Sequence, residues 1–283
     1  MSSAAPKAKE YVLGTGDDEL GRLGLQHRLW SNAAASAWMS AGFGPGSKIL
    51  DIGCGPGFAS FDLAQLVTSA GSVLGIDESA GFIEHLNGQS AARGLPQLRG
   101  VVGDVQNLGS APEVRAGGFD GAYARWVLCF VQRPQDVVAG IARALRPGGR
   151  IVVHDYFNYE TMTTAPRSRW HDVLVKATAD SWRARGGDPD VMGRFPALCR
   201  DAGLKVLSAQ VHQRIARGGA SDPMMHWPLT WWRTFAPKLV AMNLITQAQC
   251  DEALTELTTL SADPHRFIVC PPVYEMIAEH AGA

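Results

Sequence analysis

No run of like charge, no C-x-x-C pair and no long apolar stretch marks this sequence, and each gap closes off a class of function. Charged residues make up only 19% of the chain, with 26 basic against 27 acidic side chains. Without a basic stripe there is no electrostatic footprint for a nucleic-acid backbone or an anionic membrane, so neither is expected as a partner. The five cysteines (Cys54, Cys129, Cys199, Cys250, Cys270) are scattered and odd in number. That argues against a disulfide framework or a structural zinc site, and it suits a reducing cytoplasm. No segment has the apolar length to span a bilayer, and the opening MSSAAPKAK lacks the apolar core of a secretory signal. What is present in quantity is apolar material. At 283 residues, 46% of them hydrophobic, the chain can bury one large core, with or without a cap.

The apolar residues fall into alternating short runs and helical stretches. Lys48–Ile52, Ser72–Ile76, Leu98–Val102, Phe119–Ala124 and Arg150–Asp155 read as strands bounded by Gly, Asp or Pro. Phe58–Thr68, Ser79–Arg93 and Pro134–Leu145 between them have helical spacing. Strands this continuously apolar belong in a parallel sheet covered on both faces. The expected fold is therefore α/β, a doubly wound, mostly parallel sheet with ligands at the carboxyl ends of its strands. Before it, Leu20–Trp38 reads as an amphipathic helix. After it come helices over Pro166–Arg185 and Pro189–Ala202, then a strand over Lys205–Arg214. Residues 215–264 form a Trp-rich, mostly helical insertion, and the closing VYEMIAEH (273–280) reads as a last strand or a short helix. The division expected is a tail and helical cap segment (1–43), a ligand-binding domain (44–214), a cap insertion (215–264) and a closing strand (265–283).

The most informative segment is KILDIGCGPGF, Lys48 to Phe58. A strand runs directly into three glycines in five residues and then into a helix. Glycine allows the tight bend and close approach of a ligand, and the free N–H groups at the helix start suit a carboxylate or phosphate. A dinucleotide fingerprint needs a third glycine where this chain has Phe58, and an ATP loop needs a lysine that Phe58-Ala59-Ser60 does not supply. Both phosphate readings are weakened. Asp77 ends the second strand, where an acid can hold ribose hydroxyls, and Asp104 ends the third, beside the place of an adenine. Either carboxylate alone could be a helix cap.

Together, LDIGCGPG (50–57), GID (75–77), VGDV (102–105), FDGAYARWVLCFV (119–131) and LRPGGRIVVHD (145–155) resemble, in order, the Rossmann-like (class I) family of S-adenosylmethionine (SAM)-dependent methyltransferases. The resemblance covers roughly residues 44–214. The run 11–30 and the helix 186–204 are similar to those of ubiquinone-biosynthesis-type and natural-product methyltransferases. The resemblance implies a seven-stranded sheet, SAM as cofactor and a small-molecule substrate. It further implies that Gly53, Cys54, Gly55 and Gly57 line the methionine moiety and that Asp77, with Glu78 beside it, holds the ribose. Asp104 and the Val105 backbone would meet the adenine. Arg125 would offer its backbone carbonyl to the amino group, and Tyr11 and Gln26 would close over the cofactor.

Methyl transfer from a sulfonium is an in-line displacement, so alignment in a dry site is the protein's main task. For an acceptor that must lose a proton, His154 and Asp155, leaving the fifth strand, are the candidate bases. Trp30, Tyr156, His226 and Trp227 are the expected aromatic lining for a small, aromatic or lipophilic acceptor. No metal is expected, because the fourth strand ends Ala124-Arg125-Trp126 instead of in carboxylates. An NAD-dependent oxidoreductase and a SAM-binding protein without transferase activity are the competing readings. Monomer and homodimer both stay open.

Overall fold

The computed structural model describes residues 16–219 and 222–282. The first helix, α1 (Asp17–Ser40), is followed by the alternation the sequence implies: β1 (Lys48–Ile52), α2 (Phe58–Val67), β2 (Ser72–Asp77), α3 (Ala80–Ala92), β3 (Leu98–Val102), β4 (Phe119–Arg125), α4 (Pro134–Ala144) and β5 (Leu145–Tyr156). Then come β6 (Thr163–Ala165), α5 (Arg169–Arg183), α6 (Phe195–Asp201), β7 (Leu204–His212), β8 (Ile215–Arg217), α7 (His226–Ala241), α8 (Gln247–Ala262), β9 (Phe267–Val269) and β10 (Val273–His280).

The main sheet has seven strands in the order β3-β2-β1-β4-β5-β10-β7. The order reverses at β1, which pairs in parallel with β2 on one side and β4 on the other. Ligands in open α/β sheets sit in the crevice at such a reversal, beyond the carboxyl ends of the strands. The closing segment is a strand. VYEMIAEH inserts antiparallel between β5 and β7, and Met276, Ile277 and Ala278, alternating between the two faces of the sheet, are all buried. β1, β4 and β5 carry Ile49, Leu50, Ile52, Ala122, Ile151, Val152 and Val153 at 0% exposure. Burying aliphatic side chains on both faces of these strands is the main drive for the fold.

A second sheet of three short strands, in the order β6-β9-β8, lies at the root of the cap, where no strand was expected. Residues 215–264 therefore begin with a strand before becoming helical. The Trp-rich helix α7 packs on α1, α5 and α8 and lies over the sheet's carboxyl edge. Among the described residues no helix is long and apolar enough to cross a membrane.

Candidate functional site

A cavity of about 500 Å³ opens at the carboxyl edge, running from the glycine turn after β1 to the underside of α7. Gly53, Gly55 and Gly57 all have left-handed backbones (φ +61°, +54° and +91°). A Cβ on Gly53 would lie 2.5 Å from Val127, and one on Gly57 2.7 Å from Leu86, whereas one on Gly55 meets nothing within 4 Å. The outer glycines are thus required by packing as well as conformation, and the middle one keeps the cavity floor open. Gly53, Cys54 and Gly55 line the cavity. Gly57 does not. It caps α2, and its part in the site is to shape the bend.

Asp77 reaches back from β2 to this turn. Its Oδ2 accepts from the Gly55 N–H at 2.9 Å and its Oδ1 from the Ser79 N–H at 2.9 Å. Burial raises its pKa, and those two N–H groups oppose the rise. Glu78, Asp104 and Val105 continue the wall, with Asp104 accepting from the Gln106 N–H at 2.8 Å and capping a short 3-10 turn. Asp51, at the end of β1, also lines the cavity yet is almost fully buried, with Ser60 donating to it. Desolvation pushes its pKa up to about 7, against the pull of Ser60 and of Arg125.

Arg125 ends β4 facing the cavity, and its Nη2 contacts His27 Nδ1 at 3.0 Å. His27 Nε2 in turn lies 2.9 Å from Asp62. Neither His27 nor Asp62 was legible as a site residue, because a single histidine on an amphipathic helix carries no spacing signal. The next residue, Trp126, has φ +53°, a conformation that costs a non-glycine residue about 1 kcal/mol or more. The bend is held by its own N–H, which donates to the His154 carbonyl at 2.9 Å.

That bend places the Trp126 indole in an aromatic lobe. It stacks on Tyr156 (6.1 Å between centroids) and tilts against Trp227 (5.9 Å). Tyr156 stacks on Trp182 (5.8 Å), which packs on Tyr159 at 4.8 Å. Trp231 and Phe235 complete the lining. Gln26 enters from α1, and its Oε1 accepts from Trp227 Nε1 and Arg22 Nη1, each at 3.1 Å. It thereby ties the first helix to the cap.

Several expected residues stand elsewhere. Tyr11 lies outside the described residues. Trp30 is 1% exposed and does not line the cavity; it packs edge-on behind Trp126 and Trp227, so its role is support. His226 starts α7 with its ring exposed and turned away from the lining. The two candidate bases are also displaced. Asp155 is 0% exposed, and its carboxylate accepts from the Val127, Cys129 and Tyr156 N–H groups at 3.1, 3.2 and 2.9 Å. It braces the loop after β4 and has no access to a ligand. His154 points across the sheet, its Nε2 3.0 Å from Glu275, which also meets His212 at 2.8 Å. Burial lowers the pKa of His154, and the ring lies one layer behind the cavity.

Residues 50–153 match the methyltransferase domain family. Among curated proteins, a nocamycin O-methyltransferase of Saccharothrix syringae is 36% identical over 38% of this chain and 37% of its own length. A demethylmenaquinone methyltransferase of Mycolicibacterium paratuberculosis is 28% identical over 77% of this chain and 82% of its own. The chain spans less than half the length of several curated relatives that it matches. Among solved structures, a geranyl diphosphate C-methyltransferase from Streptomyces coelicolor A3(2), bound to Mg2+, geranyl diphosphate and S-adenosyl-L-homocysteine, superposes with a TM-score of 0.56. The match covers 98% of this chain and 88% of that one at 16% identity, a likeness of fold.

Proposed function

We propose, on the premise that this chain belongs to the class I SAM-dependent methyltransferases, that it transfers a methyl group to an oxygen, nitrogen or carbon atom of a small aromatic or lipophilic metabolite. One observation carries the reading: the polar glycine-turn lobe and the aromatic lobe are two ends of a continuous cavity, joined at Arg125 and Trp126. The names of the relatives support a small acceptor, because the nocamycin and demethylmenaquinone enzymes are named for such compounds.

The residues present suit the cofactor. Gly55 leaves open space above the turn, and Asp77, Glu78 and Asp104 supply acceptors for a nucleoside. Asp51 and Arg125 offer one carboxyl and one guanidinium to the two ends of an amino acid. When bound, SAM supplies an electrophilic methyl on a sulfonium, with the activation already built in. The protein's contribution is orientation. Trp126, Tyr156 and Trp227 hold an acceptor by ring contact, and α1 and α7, joined through Gln26, exclude water. With His154 and Asp155 withdrawn into the sheet, the reading assigns no general base from that strand. An acceptor whose nucleophile is acidic or already activated fits best.

Calorimetric titration with SAM tests this directly. The wild type binds, and Asp77→Ala binds much more weakly, having lost both the nucleoside acceptor and the tie to Gly55. Quenching of NADH fluorescence with no heat on SAM addition would refute the reading and favour an oxidoreductase.

A further inference from the structure

Behind the cavity, a second polar cluster plays no part in the reading above. β10 lies between β5 and β7, with Glu275 directly opposite His154 on one side and Gln210 on the other. His212 stands two residues beyond Gln210, so the strand period puts His154, Glu275 and His212 on one face of the sheet. Glu275 Oε2 is 3.0 Å from His154 Nε2 and 2.8 Å from His212 Nε2, and these three atoms all lie within 4.8 Å of one another. The two imidazole centroids are 5.8 Å apart. Two nitrogens and one oxygen, carried on three adjacent strands, thus converge on a single point. None of the three residues lines the cavity.

Charge singles this cluster out. The Glu275 and His154 side chains are 5% and 1% exposed, and among the described residues no lysine or arginine pairs with Glu275. Two neutral imidazoles can donate to its carboxylate but cannot neutralise it, and a buried charge is ordinarily paired or bound to a metal. The imidazoles are also held in place, Tyr123 standing edge-on to His154 at 5.8 Å and Trp30 edge-on to His212 at 6.3 Å. His154 Nδ1 is buried without a partner, so moving the ring proton there from Nε2 breaks no other hydrogen bond. His212, with its side chain 22% exposed, leaves a way in and room for a water.

We infer that His154, His212 and Glu275 form a site for a divalent metal ion of the zinc type, which clasps the antiparallel end of the main sheet. Two imidazole nitrogens and a carboxylate oxygen suit Zn2+, which takes such ligands at about 2.0–2.2 Å with a water in fourth place. Tetrahedral ligands at that reach stand about 3.3 Å apart. The two contacts of 3.0 and 2.8 Å therefore need to open by only a few tenths of an ångström. The role is structural. β7 is the outermost strand and pairs with β10 alone, and the ion ties it to β5 as well. The carboxylate-free end of β4, from which no metal was expected, concerns the methyl-transfer cavity, and this site stands apart from it and from the cofactor reading.

The test uses untagged protein stripped with a chelator, titrated with Zn2+ by calorimetry and with Co2+ in the visible spectrum. The wild type takes up one equivalent of either ion. Bound Co2+ shows the d–d bands of a four-coordinate site, and Zn2+ raises the melting temperature by mass action. His212→Ala and Glu275→Gln each weaken Zn2+ binding by more than about 100-fold, beyond the 10- to 100-fold that losing an outer partner of a ligand costs. Both also lose the rise in melting temperature on adding Zn2+. His265→Ala, at an exposed histidine away from the cluster, changes neither readout. Melting without metal confirms that each variant is folded. A wild type that takes up no equivalent of Zn2+ or Co2+ overturns the inference, and so does uptake that persists in folded His212→Ala.

Discussion

Asp51 offers a pH signature that can be worked through in numbers. Its carboxyl is buried at the end of β1 and titrates at about 7 instead of 3.8, chiefly through desolvation. The folded protein thus holds this proton to higher pH than the unfolded chain does. Stability contributed by the neutral form is complete below about pH 4, falls as the pH rises to 7 and is level above that. The loss amounts to about 4 kcal/mol. A cationic ligand group beside Asp51 changes the balance, because an ammonium favours the carboxylate. If S-adenosylhomocysteine binds the ionised form, its affinity rises about 10-fold between pH 6 and 8. At pH 6 the complex also expels about 0.9 proton, since nine-tenths of the free protein is protonated there. Calorimetry in buffers of different ionisation enthalpy reads that proton as a slope. Asp51→Asn keeps an oxygen for Ser60 and removes the charge. It is expected to flatten the slope, melt higher than wild type at pH 8 and match it near pH 4. An unchanged slope in Asp51→Asn would refute the reasoning.

Asp155→Ala leaves three buried N–H groups without an acceptor and is expected to cost at least about 3 kcal/mol in denaturant unfolding. A variant that unfolds like wild type but has lost methyl transfer would restore Asp155 as a catalytic group. Gly57→Ala, strained by its φ of +91° and by Leu86, lowers the melting temperature and abolishes S-adenosylhomocysteine binding together. Gly55→Ala, with open space around its Cβ, costs less stability, and its main effect is on affinity.

The alternation from β1 to β5 was legible because each of its strands carries a short apolar run set between helical stretches. β1 and β3 fall at the residues the sequence marks, and the others differ at their ends. The glycine turn and its acids were legible for the same reason: chemistry and chain order coincide there. The small sheet was not, since β6, β8 and β9 have three residues each and no periodicity can be read from three. The bases were misplaced because residue type and strand edge say nothing about which way a side chain points. His154 turns to Glu275 on β10, a partner 121 residues away. His27 was hidden for the opposite reason, its importance coming wholly from Arg125, which reaches it across the cavity.

The three-stranded sheet has a further consequence for how such a protein diversifies. β8 and β9 stand side by side, Ile215 opposite Val269, at the departure and return of the helical segment that roofs the aromatic lobe. The roof is thus clasped at its hinge line, like a drawer whose two runners share one frame. Its helices also meet the body through Gln26 and Trp126, so re-lining the roof at positions other than Trp227 is expected to leave the frame in place. Exchanging the segment between the runners is therefore expected to alter the aromatic lobe while leaving the seven-stranded sheet folded.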